Sequence, residues 1–206
     1  WQGLGYYSRA RNLRKCAQAV VADHKGLFPQ TEEELLALPG IGGYTAAAIC
    51  SIAYNKPAAV VDGNVERIVA RLERHPYPPK EKPAEVKKLA QRLASDVSSP
   101  RAYSEALMDL GATICTPKSP KCLLCPVREF CGAFKAGEVE KYPLKLAKKQ
   151  RPALTGQVYV VQDKEGRYYL QKRPEKGLLA GLYEFPSTGW QKNELPDWLD
   201  VSEAEY

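Results

Sequence analysis

The chain has 206 residues, of which 44% are hydrophobic and 26% are charged, a composition typical of a folded protein with a sizeable core. Its net charge of +6 and its isoelectric point of about 8.9 favour a polyanionic partner. The sequence contains neither a run of about 18 apolar residues, as a membrane-spanning helix needs, nor a secretory signal peptide. Because the first residue is Trp1, we expect the chain to be a fragment whose natural start is missing.

Helical patterns fill the chain as far as the cysteine-rich segment. Ser8 is a candidate cap for a helix that runs to about His24. The apolar face of this helix is predicted to contain Leu13, Ala17, Val20 and Val21. Thr31 and Glu34 have the spacing of a capping box, which predicts a short helix through Leu38. Further helices are predicted at 44–53, 64–72, 86–97 and 100–114.

A glycine-rich turn, LPGIGGYT at residues 38–45, separates two of these helices. Pro39 cannot continue a helix, and Gly40 and Gly42 can adopt positive φ angles and leave backbone N–H groups uncovered. Uncovered N–H groups at the start of a helix bind anions, and the obvious anion is a DNA phosphate. An ordinary turn between two antiparallel helices is the alternative interpretation.

Asp62 follows an apolar run and precedes the next predicted helix. An aspartate in this position is most often an N-cap, whose carboxylate accepts hydrogen bonds from the first N–H groups of the helix. A lone carboxylate near a phosphate-binding turn also suggests chemistry on a nucleotide. The two roles are compatible, because capping a helix does not exclude a second function.

Four of the six cysteines are spaced as Cys115-x6-Cys122-x2-Cys125-x5-Cys131. Four thiolates in one loop suit the tetrahedral sulfur ligation of a 4Fe–4S cluster. Structural zinc is the main alternative, although zinc ribbons usually contain two separated C-x2-C pairs. A disulfide framework is the least favoured reading. Cys16 and Cys50 stand alone in helical patterns and are predicted to be buried apolar side chains.

The composition changes after the cysteines. Residues 139–153 are basic and contain two prolines, which indicates an exposed linker. Strand-like runs at 157–162 and 167–172 surround a turn at 163–166 and predict a β-hairpin. We therefore predict a helical domain at 1–138, a basic linker at 139–153 and the start of a truncated α+β domain at 154–206.

The motifs occur in a distinctive order: GLGYYSRARNL, LPGIGGYTAAAI, VVDGNVERIVARL, the cysteine loop and GLLAGLYEFP. In this order the chain resembles the MutY-type adenine DNA glycosylases, which belong to the helix-hairpin-helix superfamily shared with endonuclease III. The resemblance extends from residue 1 to about 187. It implies a mainly α helix-hairpin-helix glycosylase domain with a 4Fe–4S loop, followed by a linker and a truncated Nudix-like domain.

The resemblance also implies an activity and a partner. The family removes adenine mispaired with 8-oxoguanine or guanine, after flipping the base out of double-stranded DNA. Asp62 matches the catalytic aspartate, which stabilises the oxocarbenium-like sugar, and Asn64 matches a neighbouring active-site position. Tyr44 stands where bifunctional relatives carry a lysine, which implies a monofunctional enzyme. The positions expected to contact DNA are Leu4, Tyr6, Pro39, Gly40, Ile41, Gly42 and Gly43, with Tyr6 intercalating beside the 8-oxoguanine.

The chain departs from the family pattern in three ways. The family's catalytic glutamate lies on a helix before GLGYY, so we expect the 206 residues alone to be inactive or nearly so. The family's late Ser-His loop is missing, since the only histidines are His24 and His75. The visible β part contains no glutamate-rich Nudix box, so we expect no nucleotide hydrolysis.

Two other functions remain open from the sequence. One is an endonuclease III-like glycosylase for oxidised pyrimidines, against which Tyr44 and the β domain argue. The other is a non-catalytic DNA-binding module with a structural cluster. We expect a monomer without membrane attachment, located in the cytoplasm and nucleoid if bacterial, and in the nucleus or mitochondrion if eukaryotic.

Overall fold

The computed structural model describes residues 1–147, 152–177 and 179–189. The chain divides into two compact units. One contains Asn12–Ala147 and holds the helices, and the other combines Trp1–Arg11 with the chain from Lys148 onward. Part of the predicted basic linker, Leu178 of the GLLAGLYEFP motif and the last residues of the chain lie outside the described residues.

The helical unit is built from short α-helices joined by tight turns. Helix α1 spans Tyr7–His24, and its residues from Asn12 onward belong to this unit. The other helices are α2 (Glu32–Leu36), α3 (Gly43–Ala48), α4 (Gly63–Leu72), α5 (Pro83–Ala94), α6 (Pro100–Asp109) and α7 (Gly132–Lys135). None of the described helices is long and apolar enough to cross a membrane.

Local capping explains where several helices begin. The Thr31 hydroxyl accepts the backbone N–H of Glu34 at 3.3 Å, so the predicted Thr31 cap is confirmed. The Glu34 carboxylate pairs with Thr31 as well, but it accepts the hydroxyl at 2.6 Å and not the backbone N–H that a capping box uses. Ser99 caps α6 through the N–H of Ala102, and Pro100 occupies the first turn. Each cap satisfies an N–H group that has no partner inside its own helix.

Two of the helices continue as π-helical segments. Ile49–Ala53 extends α3, and Leu110–Ile114 extends α6 to the first cysteine of the loop. The first π segment is tied to α6 by buried hydroxyls: Ser51 Oγ donates to Pro100 O at 2.8 Å and lies 2.7 Å from Ser104 Oγ. The predicted helix at 44–53 is therefore present, but its second half has π geometry.

The core of the helical unit has two parts. The first is formed by α1, α2, α3 and the chain before α4, and it includes Cys16 and Cys50, which are buried as predicted. The second lies between α4 and α5. The predicted apolar face of α1 is partly wrong, because Leu13 and Val21 are 63% and 69% exposed. Only the side of α1 that carries Cys16 and Val20 packs against this core.

The other unit contains the β structure. Strand β1 (Gln171–Lys172) pairs antiparallel with β2 (Tyr183–Glu184), and isolated bridges join Val158 to Ser187 and Gln162 to Tyr168. The predicted turn is present: Asp163 Oδ1 accepts the N–H groups of Glu165 and Arg167. The predicted hairpin is only partly right, because the run 157–162 forms isolated bridges and no regular strand. Strand β1 lies inside the predicted run 167–172, but it pairs with β2, which was not predicted.

Candidate active site and cysteine loop

Asp62 caps α4 with its carboxylate. Its Oδ1 accepts the backbone N–H groups of Asn64 and Val65, both at 2.8 Å, and its Oδ2 accepts the Asn64 side-chain amide at 3.3 Å. The residue is half-buried and has an extended backbone, as an N-cap requires. The predicted capping role is confirmed, and the carboxylate is held in one orientation by three donors.

Asn64 connects Asp62 to the interior of the protein. Its amide nitrogen donates to Asp62, while its Oδ1 accepts from Arg67 Nη2 at 2.9 Å. A side chain at Gly111 would prevent this arrangement, because a Cβ there would lie 2.6 Å from the Asn64 Cβ. Gly111 is buried in the π segment after α6. It therefore allows the start of α4 to approach that segment closely.

Arg67 is 7% exposed and links α4 to the cysteine loop. Its Nη2 donates to Gly111 O and its Nε to Cys115 O, both at 2.7 Å. Burial lowers the pKa of the Arg67 guanidinium, and the negative charge of the Cys115 thiolate opposes this shift. An arginine side chain nevertheless stays protonated in proteins. A buried cation therefore lies between the cap of α4 and the first cysteine.

Arg71, one turn further along α4, is 1% exposed. Its Nη1 donates to Cys115 Sγ at 3.2 Å and to Thr116 O at 2.8 Å, and its Nε donates to Val139 O and Tyr142 O at 3.0 and 3.1 Å. This guanidinium holds the two ends of the cysteine segment together. It also places a positive charge against one of the thiols.

The four cysteines of the loop line one small cavity together with Arg71. Cys122 begins a short helical turn at Cys122–Leu124, which Cys125 follows. A second turn at Arg128–Phe130 is followed by Cys131, which precedes α7. All four thiols are free, so the disulfide alternative is not realised. Cys131 Sγ donates to Arg71 O at 3.5 Å. Four thiols around one cavity, with a buried arginine beside them, fit a polynuclear sulfur-ligated cluster.

The pKa values of the thiols show why a bound cation would stabilise this site. Burial raises the pKa values of Cys122 and Cys125, and the neighbouring thiolates add to this shift. Metal ligation requires the thiolate form, and the positive charge of a bound metal stabilises that form. In the described part of the chain, no group of three or more His, Cys, Asp or Glu side chains is placed to hold a metal ion. The structural feature that fits a cluster is the single cavity that all four cysteines line.

One glycine of the turn has a positive φ angle. Gly40 has φ of +79°, and a Cβ there would lie 2.6 Å from the Asn12 Cβ on α1. Gly42 precedes α3 with φ of −95° and no side-chain cap. The expectation of a positive φ is therefore right for Gly40 and wrong for Gly42. Gly42 and Gly43 are exposed, whereas Pro39 and Ile41 are half-buried.

Three aromatic or apolar candidates are exposed. Tyr44 lies on the first turn of α3 and is 47% exposed. Leu4 and Tyr6 belong to the other unit and are 71% and 77% exposed. Tyr6 has φ of +49°, an unfavourable backbone conformation for an aromatic residue. Trp1 Nε1 donates to Gly5 O at 2.8 Å and closes the loop around Leu4.

Three protein-family models match the chain. The helix-hairpin-helix motif matches residues 23–52, the iron-sulfur binding domain of endonuclease III matches 115–131, and the NUDIX domain matches 157–205. The first two ranges contain the glycine turn and the four cysteines. These matches confirm the predicted fold class and the predicted 4Fe–4S cluster.

Several relatives are adenine DNA glycosylases. The chain is 45% identical to the Arabidopsis thaliana enzyme over 202 residues, 37% to that of Buchnera aphidicola from Acyrthosiphon pisum over 201, and 35% to the human enzyme over 242. The resemblance to the MutY-type adenine DNA glycosylases is confirmed. These alignments cover 91%, 97% and 94% of the chain, but only 32%, 57% and 44% of the relatives. The chain thus spans between a third and three fifths of the MutY-type relatives that it matches.

Two solved structures superpose on this chain. A thermostable thymine-DNA glycosylase superposes with a TM-score of 0.54 at 33% identity, covering 62% of this chain and 58% of that one. A non-covalent endonuclease III–DNA complex superposes with a TM-score of 0.51 at 29% identity, covering 64% and 60%. The helix-hairpin-helix glycosylase architecture therefore extends over most of this chain.

The sequence reasoning missed the residues that connect the site. The sequence pattern places Arg67 and Arg71 inside the predicted helix at 64–72 and indicates no role for Asn12 or Gly111. Two arginines four residues apart, inside a helix whose other faces are apolar, are a usable signal, because a buried arginine needs several acceptors. The close approaches of Asn12 to Gly40 and of Gly111 to Asn64 join segments that are distant in the sequence. No local sequence pattern therefore indicates them.

Proposed function

We propose that this chain is part of an adenine DNA glycosylase that hydrolyses the N-glycosidic bond of adenine mispaired with 8-oxoguanine or guanine. The observation that carries the proposal is the fixed carboxylate of Asp62 at the start of α4. Three donors orient it, and it belongs to a chain whose curated relatives are named adenine DNA glycosylases.

The proposed chemistry uses Asp62 to stabilise positive charge on the sugar. As the bond to adenine breaks, the deoxyribose ring becomes oxocarbenium-like, and a nearby carboxylate lowers the energy of this state. Asn64 assists by holding Oδ2 through its amide. The cap geometry supports this role, because an oriented carboxylate needs little reorganisation during the reaction.

Tyr44 defines the outcome of the reaction. A lysine at this position could attack the sugar as an amine and form a Schiff base, which leads to strand cleavage. A phenol cannot form that intermediate. We therefore propose a monofunctional enzyme that releases the base and leaves the DNA backbone intact.

The glycine turn is the proposed grip on the DNA backbone. The Ile41 N–H is bonded to Leu38 O within the turn. Gly42 and Gly43 are exposed, and no side chain caps the start of α3, so the N–H groups at this helix start are the ones proposed to bind a phosphate. Pro39, Gly40 and Ile41 shape the turn. Leu4 and Tyr6 are proposed to contact the bases, since both are exposed apolar side chains on a glycine-rich loop.

The cluster is proposed to be held by Cys115, Cys122, Cys125 and Cys131 and to act structurally. When bound, it would supply the positive charge that keeps these thiols deprotonated. Arg71 orients Cys115 through its Sγ, and Arg67 holds the same residue through its carbonyl oxygen. The two arginines thereby connect the ligand loop to the helix that Asp62 caps.

The domain organisation follows the same assignment. We propose a glycosylase domain at 1–138, a linker at 139–153 and an 8-oxoguanine-recognition domain that starts at 154. The partner is double-stranded DNA, and the enzyme acts as a monomer where that DNA is found: in the nucleoid of a bacterium, or in the nucleus or mitochondrion of a eukaryote. The inactivity of the 206 residues alone stays a prediction, which a base-release assay on this chain tests.

The activity can be tested with the full-length parent protein. We would incubate it with a duplex that contains adenine opposite 8-oxoguanine and with a matched adenine:thymine duplex, and score breaks before and after alkali. Breaks only after alkali, and only with the mispair, are expected. Breaks without alkali would indicate a bifunctional enzyme of the endonuclease III type. Tight binding without any base release would support the non-catalytic DNA-binding module.

A further inference from the structure

A cavity in the unit with the β structure joins the N-terminal loop to a distant turn of the same unit. Its volume is about 380 Å³. Tyr6 and Arg11 line it from the start of the chain, and Leu179 and Ala180 line it from the GLLAGLYEFP motif, among others. All four belong to one compact unit. Tyr6, which we propose to contact the bases, thus shares a cavity with Leu179, which has no part in the site described above.

Tyr6 and Leu179 also share an unusual backbone conformation. Their φ angles are +49° and +53°, in the left-handed region that bulky residues rarely adopt. Among the residues that the structure describes, they are the only aromatic or aliphatic side chains with a positive φ. Tyr6 is 77% and Leu179 52% exposed, so burial does not explain either conformation. Backbone strain of this kind is concentrated at functional sites, where the surrounding structure enforces it.

Arg11 fixes the turn that contains Leu179. Its Nη1 donates to the carbonyl oxygen of Ala180 at 3.2 Å. The turn is also closed on itself, because the Leu182 N–H donates to Leu179 O at 3.2 Å. Arg11 lies on α1, which begins directly after Tyr6. The bond from Arg11 to Ala180 therefore joins the two strained positions, although they are far apart in the sequence.

Two exposed apolar side chains at one cavity suit the task of opening a base stack. Proteins insert large apolar side chains as wedges between bases, which partially unstacks them, and a base must leave the stack before its glycosidic bond can be reached. We propose that Leu179 is a second wedge that contacts duplex DNA beside Tyr6, and that Arg11 is the residue that positions it. The inference rests on the proposed function, which supplies the duplex.

The charges near this pair favour DNA as the partner. Arg9 and Lys176 lie three residues from Tyr6 and from Leu179, and both are exposed. The carboxylate of Glu175 is paired, since its Oε1 lies 3.5 Å from Lys172 Nζ. This part of the described surface thus offers positive charge to a phosphate backbone. It is also continuous with the loop that we propose to contact the bases.

The test measures base extrusion separately from bond cleavage in the full-length parent. The probe is a duplex with 2-aminopurine opposite 8-oxoguanine, because the fluorescence of this adenine analogue rises when it leaves the stack. Single-turnover release of adenine opposite 8-oxoguanine gives the rate of the reaction. The variants are Leu179→Ala, Arg11→Met and the double variant, and circular dichroism and iron content check their folding. Arg14→Met is the control, since it removes the same charge from an exposed position on α1.

Leu179→Ala should lower both the fluorescence rise and the rate of adenine release, the latter by about tenfold. Arg11→Met should cause a similar loss, and the double variant should lose little more, because both changes act through the same side chain. Arg14→Met should match the unaltered protein. Since Leu179 is exposed, Leu179→Ala tests the wedge even if Arg11→Met fails to fold.

The possible failures can be told apart. Unchanged fluorescence and rate in Leu179→Ala would overturn the wedge, and fully additive losses in the double variant would overturn the positioning role of Arg11. Absence of adenine release by the unaltered parent would instead contradict the proposed function.

Discussion

The start of α4 and the glycine turn before α3 are both helix N-termini, yet they treat their N–H groups in opposite ways. At α4, Asp62 accepts the first N–H groups, and Asn64, Arg67 and Arg71 continue a chain of hydrogen bonds to the cysteine loop. At α3, Gly42 provides no side-chain cap and the turn is exposed. One terminus is satisfied within the protein, and the other is left open to a partner.

We propose that this difference separates two tasks, chemistry at the start of α4 and phosphate binding at the start of α3. A carboxylate that takes part in chemistry must stay in one place, and internal hydrogen bonds achieve this. A surface that binds a phosphate must present donors that nothing else occupies. The polar network of α4 is therefore sensitive to the loss of any partner, whereas the turn is sensitive to the shape of its backbone. The following three predictions test this contrast, from the largest expected effect to the smallest.

Removing Arg71 should cause the largest loss of stability. Arg71→Met leaves the carbonyl oxygens of Thr116, Val139 and Tyr142 without their buried donor, so we expect the free energy of unfolding to fall by about 3–5 kcal/mol. Urea unfolding measures this free energy, and an iron assay measures the content of the cluster. Both the free energy of unfolding and the iron content should fall. Arg92→Met is the control, because Arg92 makes an exposed ion pair and should change little. An Arg71→Met protein with full iron content would show that the guanidinium does not organise the loop.

A side chain at Gly40 should damage the turn without affecting α4. Gly40→Ala places a Cβ at a φ of +79° and 2.6 Å from the Asn12 Cβ, which should cost roughly 2–4 kcal/mol. Duplex binding at fixed salt should weaken as well. Gly43→Ala is the matched control for the stability measurement, since nothing lies within 4 Å of its Cβ position. If both variants lost the same stability, the close contact with α1 would not define the turn.

Truncating Asn64 should have the smallest effect on stability. Asn64→Ala removes one of the three donors to Asp62 and one acceptor of Arg67, so we expect a loss of about 1 kcal/mol and a fall in base release of about tenfold. Single-turnover kinetics of the full-length parent would measure the rate. When Asp62 is already replaced by Asn, the Asn64→Ala change should have little further effect, because the two residues act as a unit. If Asn64→Ala lowered base release equally in the unaltered and the Asp62→Asn proteins, the two residues would act independently.

The sequence predicted those parts of this account that depend on local chemistry. The Thr31 cap, the Asp62 cap, the buried Cys16 and Cys50 and the cysteine spacing each follow from residues close together in the chain. Their physical causes act within one or two turns, so they leave a readable pattern.

The missed features depend on segments that are far apart in sequence. Leu13 and Val21 continue the apolar pattern of α1, but the described core reaches only the side with Cys16. The π geometry of Ile49–Ala53 coincides with the buried contact of Ser51 with Ser104 on α6. Apart from the bonds of Arg67 within α4, Arg67 and Arg71 find their acceptors between 44 and 71 residues away. No local propensity contains this information.

The measurement that tests the account most directly is base release by the full-length parent carrying Asp62→Asn. Asparagine caps helices about as well as aspartate does, so the fold, the iron content and duplex binding should be preserved. The carboxylate charge is lost, and adenine release opposite 8-oxoguanine should fall by about a thousandfold or more. Asp109→Asn, an exposed change on α6, should keep full activity. Normal release by Asp62→Asn would contradict the account and leave Asp62 as a cap alone.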